Sequence, residues 1–590
     1  MSQFVEKLAL LRAAMKQNGI DAYLIPSSDT HIGEYLPDHW KIIHWLTGFS
    51  GSAGTVVVTD SFSGLWTDSR YTIQAIAELS DSGTELVKTA PGKGYIDWIT
   101  GNMARGSKVG VDGKIISLES SVKINQALTA GKMKFNDEFD LISDIWTDRP
   151  AMPHSKAWEY PVEFAGRDRA AKLSLVRSEM KEEGVDYLLL TSPEDIMWLL
   201  NIRGNDLPYT PVIYCFAILG EQQMLLFVDE DRFTHELLAD FDRHNVVILP
   251  YDELEGMLYS LNRGTIHYCK RTTSVSISRA LPGSARTREG LSIPSRLKCI
   301  RNNAEIAGVE QVMIRDGVAL TKFFRWIDVD LGIVPMSERS LVMRLHEYRL
   351  HQEGYLGPSF ATIVAFNEHA ALPHYAPTNI SDVSISDKGI LLVDSGGQYL
   401  GGTTDITRTI AIGKPTSKQK KDFTLVLKGM ISLATIRFPY GTKGYQLDMA
   451  ARRALWDNGF NFGHGTGHGV GSCLSVHEGP QSISPVANNT IIEPGMVLSD
   501  EPGIYREGEY GIRTENLILS FQDEENEFGK FLRFDTLSLC YIDTTLIEKS
   551  LLEASELKWL NDYHSTVYNK LSPHLNEEER AWLMEKTASI

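Results

Sequence analysis

Cysteine is scarce: five in 590 residues, at Cys215, Cys269, Cys299, Cys473 and Cys540, an odd number with no Cys-x-x-Cys pair. That excludes a disulfide framework and a thiolate zinc site, and it points to a reducing compartment. Basic clusters are missing too. The chain carries 58 Lys and Arg against 76 Asp and Glu, a net charge of −18, so the counterion release behind nucleic-acid affinity has no source. The longest apolar run, near Val212 to Leu219, is far too short to span a bilayer, and the first 25 residues read as an amphipathic helix running into a strand. Low-complexity tracts are absent, which removes fibrous and largely disordered proteins. What remains, 43% hydrophobic and 23% charged residues, is ordinary globular composition. The expectation is a soluble cytoplasmic protein of about three domains, with no nucleic-acid or membrane partner.

The N-terminal half contains a repeat. A shift of 165 residues aligns Lys7, Leu8, Leu10, Arg12, Met15, Lys16, Gly19 and Asp21 with Lys172, Leu173, Leu175, Arg177, Met180, Lys181, Gly184 and Asp186. Each copy predicts a helix closed by a glycine and followed by an apolar strand, the helix-to-strand step of an α/β unit. Between the copies, Asp148 to His154 carries two prolines and no periodicity, the mark of a linker. A second boundary falls near Pro294 to Ile300. Helical spacing then runs from Asn302 to Trp326, and from about residue 355 the pattern becomes short strands between glycine-rich turns.

Those strands carry carboxylates and histidines. Ile390–Asp394 and Thr403–Ile410 read as a hairpin whose turn, centred between Tyr399 and Leu400, sets Asp394 opposite Asp405. Like charges so placed destabilise a cross-strand pair unless something positive lies between them; each aspartate could instead cap a turn. In Phe462-Gly-His464-Gly-Thr-Gly-His468-Gly, glycine at alternate positions costs about 1 kcal/mol each in a helix, so the segment is strand or loop with both histidines on one face. Without a following Gly-Lys-Ser/Thr it is no phosphate cradle. His477-Glu-Gly-Pro follows. Two Pro-Gly turns bracket the strand between Glu493 and Glu501, and Gly511-Ile-Arg513-Thr-Glu515-Asn reads as a strand with Arg513 and Glu515 on one face. Either Glu493 or Glu501 could be only a turn residue. If Asp394, Asp405, His468, Glu501 and Glu515 converge, carboxylate pairs about 4 Å apart repel by roughly 4 kcal/mol at an effective dielectric near 20. Two divalent cations would cancel that, and an oxygen-rich set with one imidazole suits hard ions such as Mn²⁺, without separating it from Co²⁺ or Zn²⁺.

In this order, Asp394-Ser-Gly, Thr-Thr-Asp405-Ile-Thr-Arg-Thr, Gly-His464-Gly-Thr-Gly-His468, His477-Glu-Gly-Pro, Asp-Glu501-Pro-Gly and Ile-Arg513-Thr-Glu515-Asn resemble the pita-bread metallopeptidases of the methionine aminopeptidase, prolidase and aminopeptidase P superfamily. With Pro373-His374-Tyr-Ala-Pro and the full length, the chain is similar to the long cytosolic aminopeptidase P branch. That resemblance implies a mixed α/β and α+β chain: creatinase-like α/β domains at 1–152 and 153–300, then a pita-bread catalytic domain at 301–590 with an extension from about 530. It implies two divalent metal ions, Mn²⁺ foremost with Zn²⁺ or Co²⁺ as alternatives. Asp394 would bind one, His468 and Glu501 the other, and Asp405 and Glu515 both, around a bridging hydroxide nucleophile. Glu501 would also shuttle a proton, His374, His464 and His477 would line the substrate pocket, and Arg513 would hold a neighbouring carboxylate or the substrate. Arg70, in Trp66-Thr-Asp-Ser-Arg70-Tyr, would reach the substrate or serve domain packing. The implied activity is release of the residue before a penultimate proline by a homodimer. Prolidase activity on Xaa-Pro dipeptides, creatinase-type amidinohydrolysis and a non-catalytic peptide-binding module are the rivals.

Overall fold

A computed structural model describes residues 2–68, 71–88, 92–261 and 263–590. The chain divides into two compact units. The first comprises Met1–Glu159, Arg167–Pro208 and Val212–Ser295; the second comprises Tyr160–Gly166, Tyr209–Pro211 and Arg296–Ile590. Among the described residues no helix is long and apolar enough to cross a membrane.

The first unit holds the repeat as two six-stranded sheets of identical topology. In one, the order is Glu85–Leu86, Ser63–Trp66, Thr55–Thr59, Ala22–Pro26, Lys108–Val111, Lys134–Asn136; in the other it is Val246–Leu249, Met224–Phe227, Phe216–Gly220, Tyr187–Leu190, Thr265–Tyr268, Arg286–Glu289. The leading helices, Gln3–Gln17 and Arg169–Glu182, bury equivalent residues: Leu8, Leu11 and Met15 in the first, Leu173, Val176 and Met180 in the second. Each helix ends the same way. Gly19 and Gly184 adopt φ of 62° and 65°, and the amides of Ile20 and Val185 turn back to the Met15 and Met180 carbonyls. Only a residue without Cβ takes that left-handed position without strain, which is why both copies keep glycine there. The expected linker shows no regular element between residues 149 and 157.

The second unit begins with a 28-residue helix, Asn303–Asp330, whose Asn302 side chain caps the Ala304 and Glu305 amides while Glu305 returns to the Asn302 amide. This reciprocal cap satisfies donors that a helix start otherwise leaves open. Two antiparallel sheets carry the chemistry. Ile363–Phe366, Gly389–Ser395 and Ile406–Ile412 form one; Phe438–Pro439, Gly529–Thr536, Asn516–Asn526 and Val497–Asp500 form the other. Their inner faces meet the helices Asn303–Asp330, Glu338–Leu350 and Ser417–Ala434 in a core that includes Phe323, Leu341, Val364, Leu391, Ile410 and Val426. Parts of the N-terminal half belong here: the Tyr160 hydroxyl donates to the Leu400 carbonyl and the Gln398 amide donates to the Tyr209 carbonyl.

One local expectation is corrected. The hairpin turns one residue later than the pattern predicts: Tyr399 pairs with Gly402 and Asp394 with Thr407, so Asp405 lies in the irregular step before Ile406 rather than opposite Asp394. Gly308 and Gly401 explain the choice. A Cβ on Gly308 would stand 2.7 Å from the Gly401 carbonyl oxygen, so the turn sits where two glycines let the hairpin touch the long helix.

Candidate metal centre

His468 is delivered by close backbone approach. A Cβ on Gly467 would stand 1.9 Å from the Ser499 carbonyl oxygen, so glycine lets the His468 segment lie against the strand that leads into Glu501. The His468 amide donates to Ser499 Oγ (3.0 Å), the Glu501 amide donates to the Thr466 carbonyl (2.8 Å), and Ser499 Oγ donates to Glu501 Oε1 (3.1 Å). His468 Nδ1 donates to the Gly469 carbonyl at 3.0 Å, which aims Nε2 at Asp405 Oδ2 and Glu501 Oε1, both 3.4 Å away. Fixing one ring nitrogen on a carbonyl so that the other faces ligands is the usual orientation of a metal-binding imidazole.

Asp405, His468 and Glu515 each bring a ligand atom to one place, all within 4.8 Å of one another. Glu515 lies between two strands, Tyr510–Arg513 and Asn516–Asn526, so it does not share a strand with Arg513 as the alternation predicts. Thr407 Oγ1 donates to Glu515 Oε2 at 2.6 Å and accepts from Arg513 Nε at 3.0 Å. Arg513 is 3% exposed, and its Nη2 donates to Asp394 Oδ2. The other Asp394 oxygen, Oδ1, is buried and has no hydrogen-bond partner among the described residues. A buried carboxylate oxygen without a partner, on an aspartate that feels the charges of Asp405 and Glu501, suits a cation.

Titration behaviour reflects this crowding. Burial pushes Asp394 up to about 7, with Asp405 adding to the effect and Arg513 opposing it. Burial and then Asp405, Glu501 and Asp394 hold Glu515 well above the usual carboxylate range. Glu501 is raised by burial and partly relieved by His468. Burial alone would lower His468, but the facing Asp405 and Glu501 outweigh it and push the imidazole up to about 9. Without a cation, the protein partly neutralises its own site by holding protons.

The other histidines border this group. The His477 ring centre lies 4.4 Å from that of His468. His464 Nε2 accepts from the Tyr505 hydroxyl at 2.7 Å, and that hydroxyl accepts from Arg513 Nη1 at 2.8 Å. His374 is half-buried beside Pro373, whose carbonyl accepts from Arg513 Nη2 at 3.4 Å. Glu493 stays out of the group and accepts from the Tyr440 hydroxyl. Arg70 lies outside the described residues. Sequence reasoning missed Tyr505 and Thr407. Thr407 shares strand parity with Asp405, a weak signal; Tyr505 reads as an ordinary core aromatic four residues after Glu501.

Comparison with known proteins places this geometry in a family. Residues 307–520 match the metallopeptidase family M24, residues 530–590 its C-terminal region, and residues 7–142 and 148–305 each match a creatinase/prolidase N-terminal domain. The chain is 37% identical to a probable Xaa-Pro aminopeptidase P of Neosartorya fischeri, over 99% of this chain and 92% of that one. It is 36% identical to the protein of the same description from Paracoccidioides brasiliensis, over 99% of both. The crystal structure of an X-prolyl aminopeptidase from Caenorhabditis elegans, a cytosolic enzyme with a dinuclear active site, superposes with a TM-score of 0.96 at 33% identity over all of both chains. Two creatinase-like domains followed by a pita-bread domain are therefore the architecture, and this chain belongs to metallopeptidase family M24, within its Xaa-Pro aminopeptidase P group.

Proposed function

We propose that this enzyme removes the N-terminal residue from peptides whose second residue is proline, using two divalent cations held by Asp394, Asp405, His468, Glu501 and Glu515. The observation that carries the reading is the convergence of Asp405, His468 and Glu515 within 4.8 Å, together with the buried Asp394 Oδ1 that has no partner among the described residues. Bound there, a cation pair would supply Lewis acidity and lower the pKa of water for attack on the peptide carbonyl. Arg513 holds Asp394 by one oxygen and leaves the other for the cation. Glu501, raised by burial, carries a proton to the departing proline nitrogen. His374, His464 and His477 offer donors to the substrate carbonyls, with His464 fixed by the Tyr505 hydroxyl. Arg70 and Arg513 are proposed contacts to the substrate.

The donor set favours Mn²⁺ over thiolate-seeking metals. A cytosolic location, as described for the nematode enzyme, accords with five cysteines that are all free and buried. A homodimer is the proposed assembly, and the boundaries 1–152, 153–300 and 301–590 the proposed domains. Incubation of the full chain with Mn²⁺ and an Xaa-Pro-Pro tripeptide tests the reaction. Release of the first residue supports it, cleavage of Xaa-Pro dipeptides alone makes the protein a prolidase, and turnover that survives exhaustive chelation removes the metal from the account.

A further inference from the structure

Arg408 stands three residues after Asp405 and is 2% exposed. Among the described residues it forms no ion pair; its guanidinium is satisfied by neutral acceptors. On one side, Nη1 donates to the Thr407 carbonyl (3.0 Å) and the Glu515 carbonyl (2.6 Å), and Nη2 to Asn516 Oδ1 (2.8 Å). On the other, Nε donates to the Tyr541 carbonyl (2.9 Å), and Nη2 reaches the Cys540 carbonyl (2.9 Å) and the Tyr563 hydroxyl (2.7 Å). The same Thr407 carbonyl accepts from the Glu515 amide at 3.1 Å. Arg408 therefore holds the carbonyl end of Glu515 directly and its amide end through the shared Thr407 carbonyl, while Thr407 Oγ1 holds its carboxylate.

What holds Arg408 comes from the 530–590 region that matches the C-terminal region of the family. Tyr563 lies on the helix Ala554–Leu571, and its hydroxyl is also within hydrogen-bond distance of Ser538 O (3.0 Å), Cys540 O (2.9 Å) and Asn516 Oδ1 (3.3 Å). A second tie runs in parallel: the Leu517 amide donates to Ser538 Oγ at 2.7 Å. A guanidinium buried without an anion is a costly way to join two loops, and a planar fork with many fixed donors is what sets an adjacent peptide to a few tenths of an ångström.

We propose that Arg408 and Tyr563 are positioning residues for the metal centre, through which the C-terminal region sets the Glu515 carboxylate in the place a bridging ligand needs. This rests on the reading of Glu515 as a metal ligand. The C-terminal region is thereby part of the site rather than an appendage to it. Outer partners of metal ligands typically change affinity by about 10–100-fold when altered.

The test uses the full chain stripped of metal and titrated with Mn²⁺ by calorimetry, alongside thermal melts of the metal-free protein. Tyr563→Phe removes one hydroxyl and keeps the ring stacked on Trp559, 5.2 Å away with planes 4° apart. It should weaken Mn²⁺ binding about 10-fold, and Arg408→Lys, which keeps the charge and loses the fork, about 100-fold. The metal-free melting temperature of Tyr563→Phe should stay at the wild-type value. At saturating Mn²⁺, kcat should fall while KM holds. Unchanged Mn²⁺ affinity in Tyr563→Phe, with or without a lowered metal-free melt, overturns the proposal by reducing the cluster to packing. Glu515→Gln separates the two levels. If it binds Mn²⁺ as wild type does, the metal reading itself fails; if it loses Mn²⁺ while both Tyr563→Phe and Arg408→Lys bind normally, only the present inference fails.

Discussion

Glu515→Gln should make the metal-free protein more stable and the metal-loaded protein less so. Glu515 is 1% exposed, and its ligand oxygen lies within 4.8 Å of those of Asp405 and His468. At that 4.8 Å limit, two ionised carboxylates repel by about 3.5 kcal/mol at an effective dielectric near 20. The amide keeps the shape, and its oxygen still accepts from Thr407 Oγ1, so the change removes charge and little else. At about 2 °C per kcal/mol, the lower end for larger domains, the metal-free variant should melt about 7 °C above wild type. The sign with pH follows from the raised carboxyl. Glu515 ionises in the unfolded chain in the ordinary glutamate range and resists ionising in the fold, so folding of the wild type weakens as pH rises above that range. The advantage of the variant must therefore open above about pH 4.5 and close below it.

Adding Mn²⁺ reverses the order. A ligand at about 1,000 times its Kd adds about 4.1 kcal/mol to a protein that binds it and nothing to one that does not, which exceeds the variant's metal-free advantage of about 3.5 kcal/mol. Differential scanning calorimetry of both proteins, with chelator and with Mn²⁺, from about pH 5 to 8, reads all of this. A metal-free Glu515→Gln that melts at or below wild type throughout would show that the acidic groups do not press on one another, and the reasoning for a shared cation site would go with it.

Three other changes probe the frame around the site. Lys298 and Glu478 form a buried ion pair, Nζ to Oε2 at 3.0 Å, beside His477; Lys298→Met should lower stability in urea by about 3–5 kcal/mol, and Glu478→Gln in the same chain should recover most of it. An additive double-mutant cycle would contradict that. Burial pulls His564 down to about 4, with its Nε2 accepting from the Ile542 amide at 3.1 Å. Its unfolded imidazole takes up a proton near pH 6.5 and the folded one does not, so this residue's stabilising share, about 3 kcal/mol, is present above that pH and lost as pH falls through 4. His564→Gln should flatten the acid limb of the stability profile, and an unchanged slope refutes the assignment. Tyr505→Phe removes the hydroxyl between His464 and Arg513; kcat should fall about 10-fold with Mn²⁺ content intact, and metal loss would instead place Tyr505 with the ligands.

How much of this was legible varied with the kind of pattern. The duplicated α/β unit was readable because helix period and a left-handed glycine are local constraints: Met15 and Gly19 recur as Met180 and Gly184, and both sheets then adopt one strand order. The hairpin register was not. Alternation fixes which face a residue occupies and leaves the turn position open, and here Gly308 of a distant helix decides it by contact with Gly401. Motif order suggests the conjunction of Asp405, His468 and Glu515, while alternation puts Arg513 and Glu515 on one strand and the structure ends that strand at Arg513. Arg408 and Tyr505 carry no signal of their own, and Thr407 only its strand parity with Asp405. An arginine in a strand or an aromatic after a turn reads as surface or core until three-dimensional partners are known. Tyr160–Gly166 and Tyr209–Pro211 join the C-terminal unit for the same reason, through hydrogen bonds to distant residues that no spacing announces.

Charge balance ties the frame to the chemistry. Asp394, Asp405, Glu501 and Glu515 bring four negative charges when ionised, and Arg513 returns one, by direct contact with Asp394 alone. The remaining supports of Glu515, the Thr407 hydroxyl and the Arg408 grip on its main chain, fix geometry without pairing its carboxylate. With all four ionised, the carboxylates outnumber Arg513 by three in a buried place, and the proton affinities of Glu515 and His468 are raised accordingly. One dication leaves this group negative. Two, as proposed above, would leave it with a single positive charge and room for one anion, such as the hydroxide left when water gives up the proton that the departing amine takes. A second arginine would have made the fold more comfortable and the site useless, because it would have filled with a permanent charge the place that must accept a replaceable one.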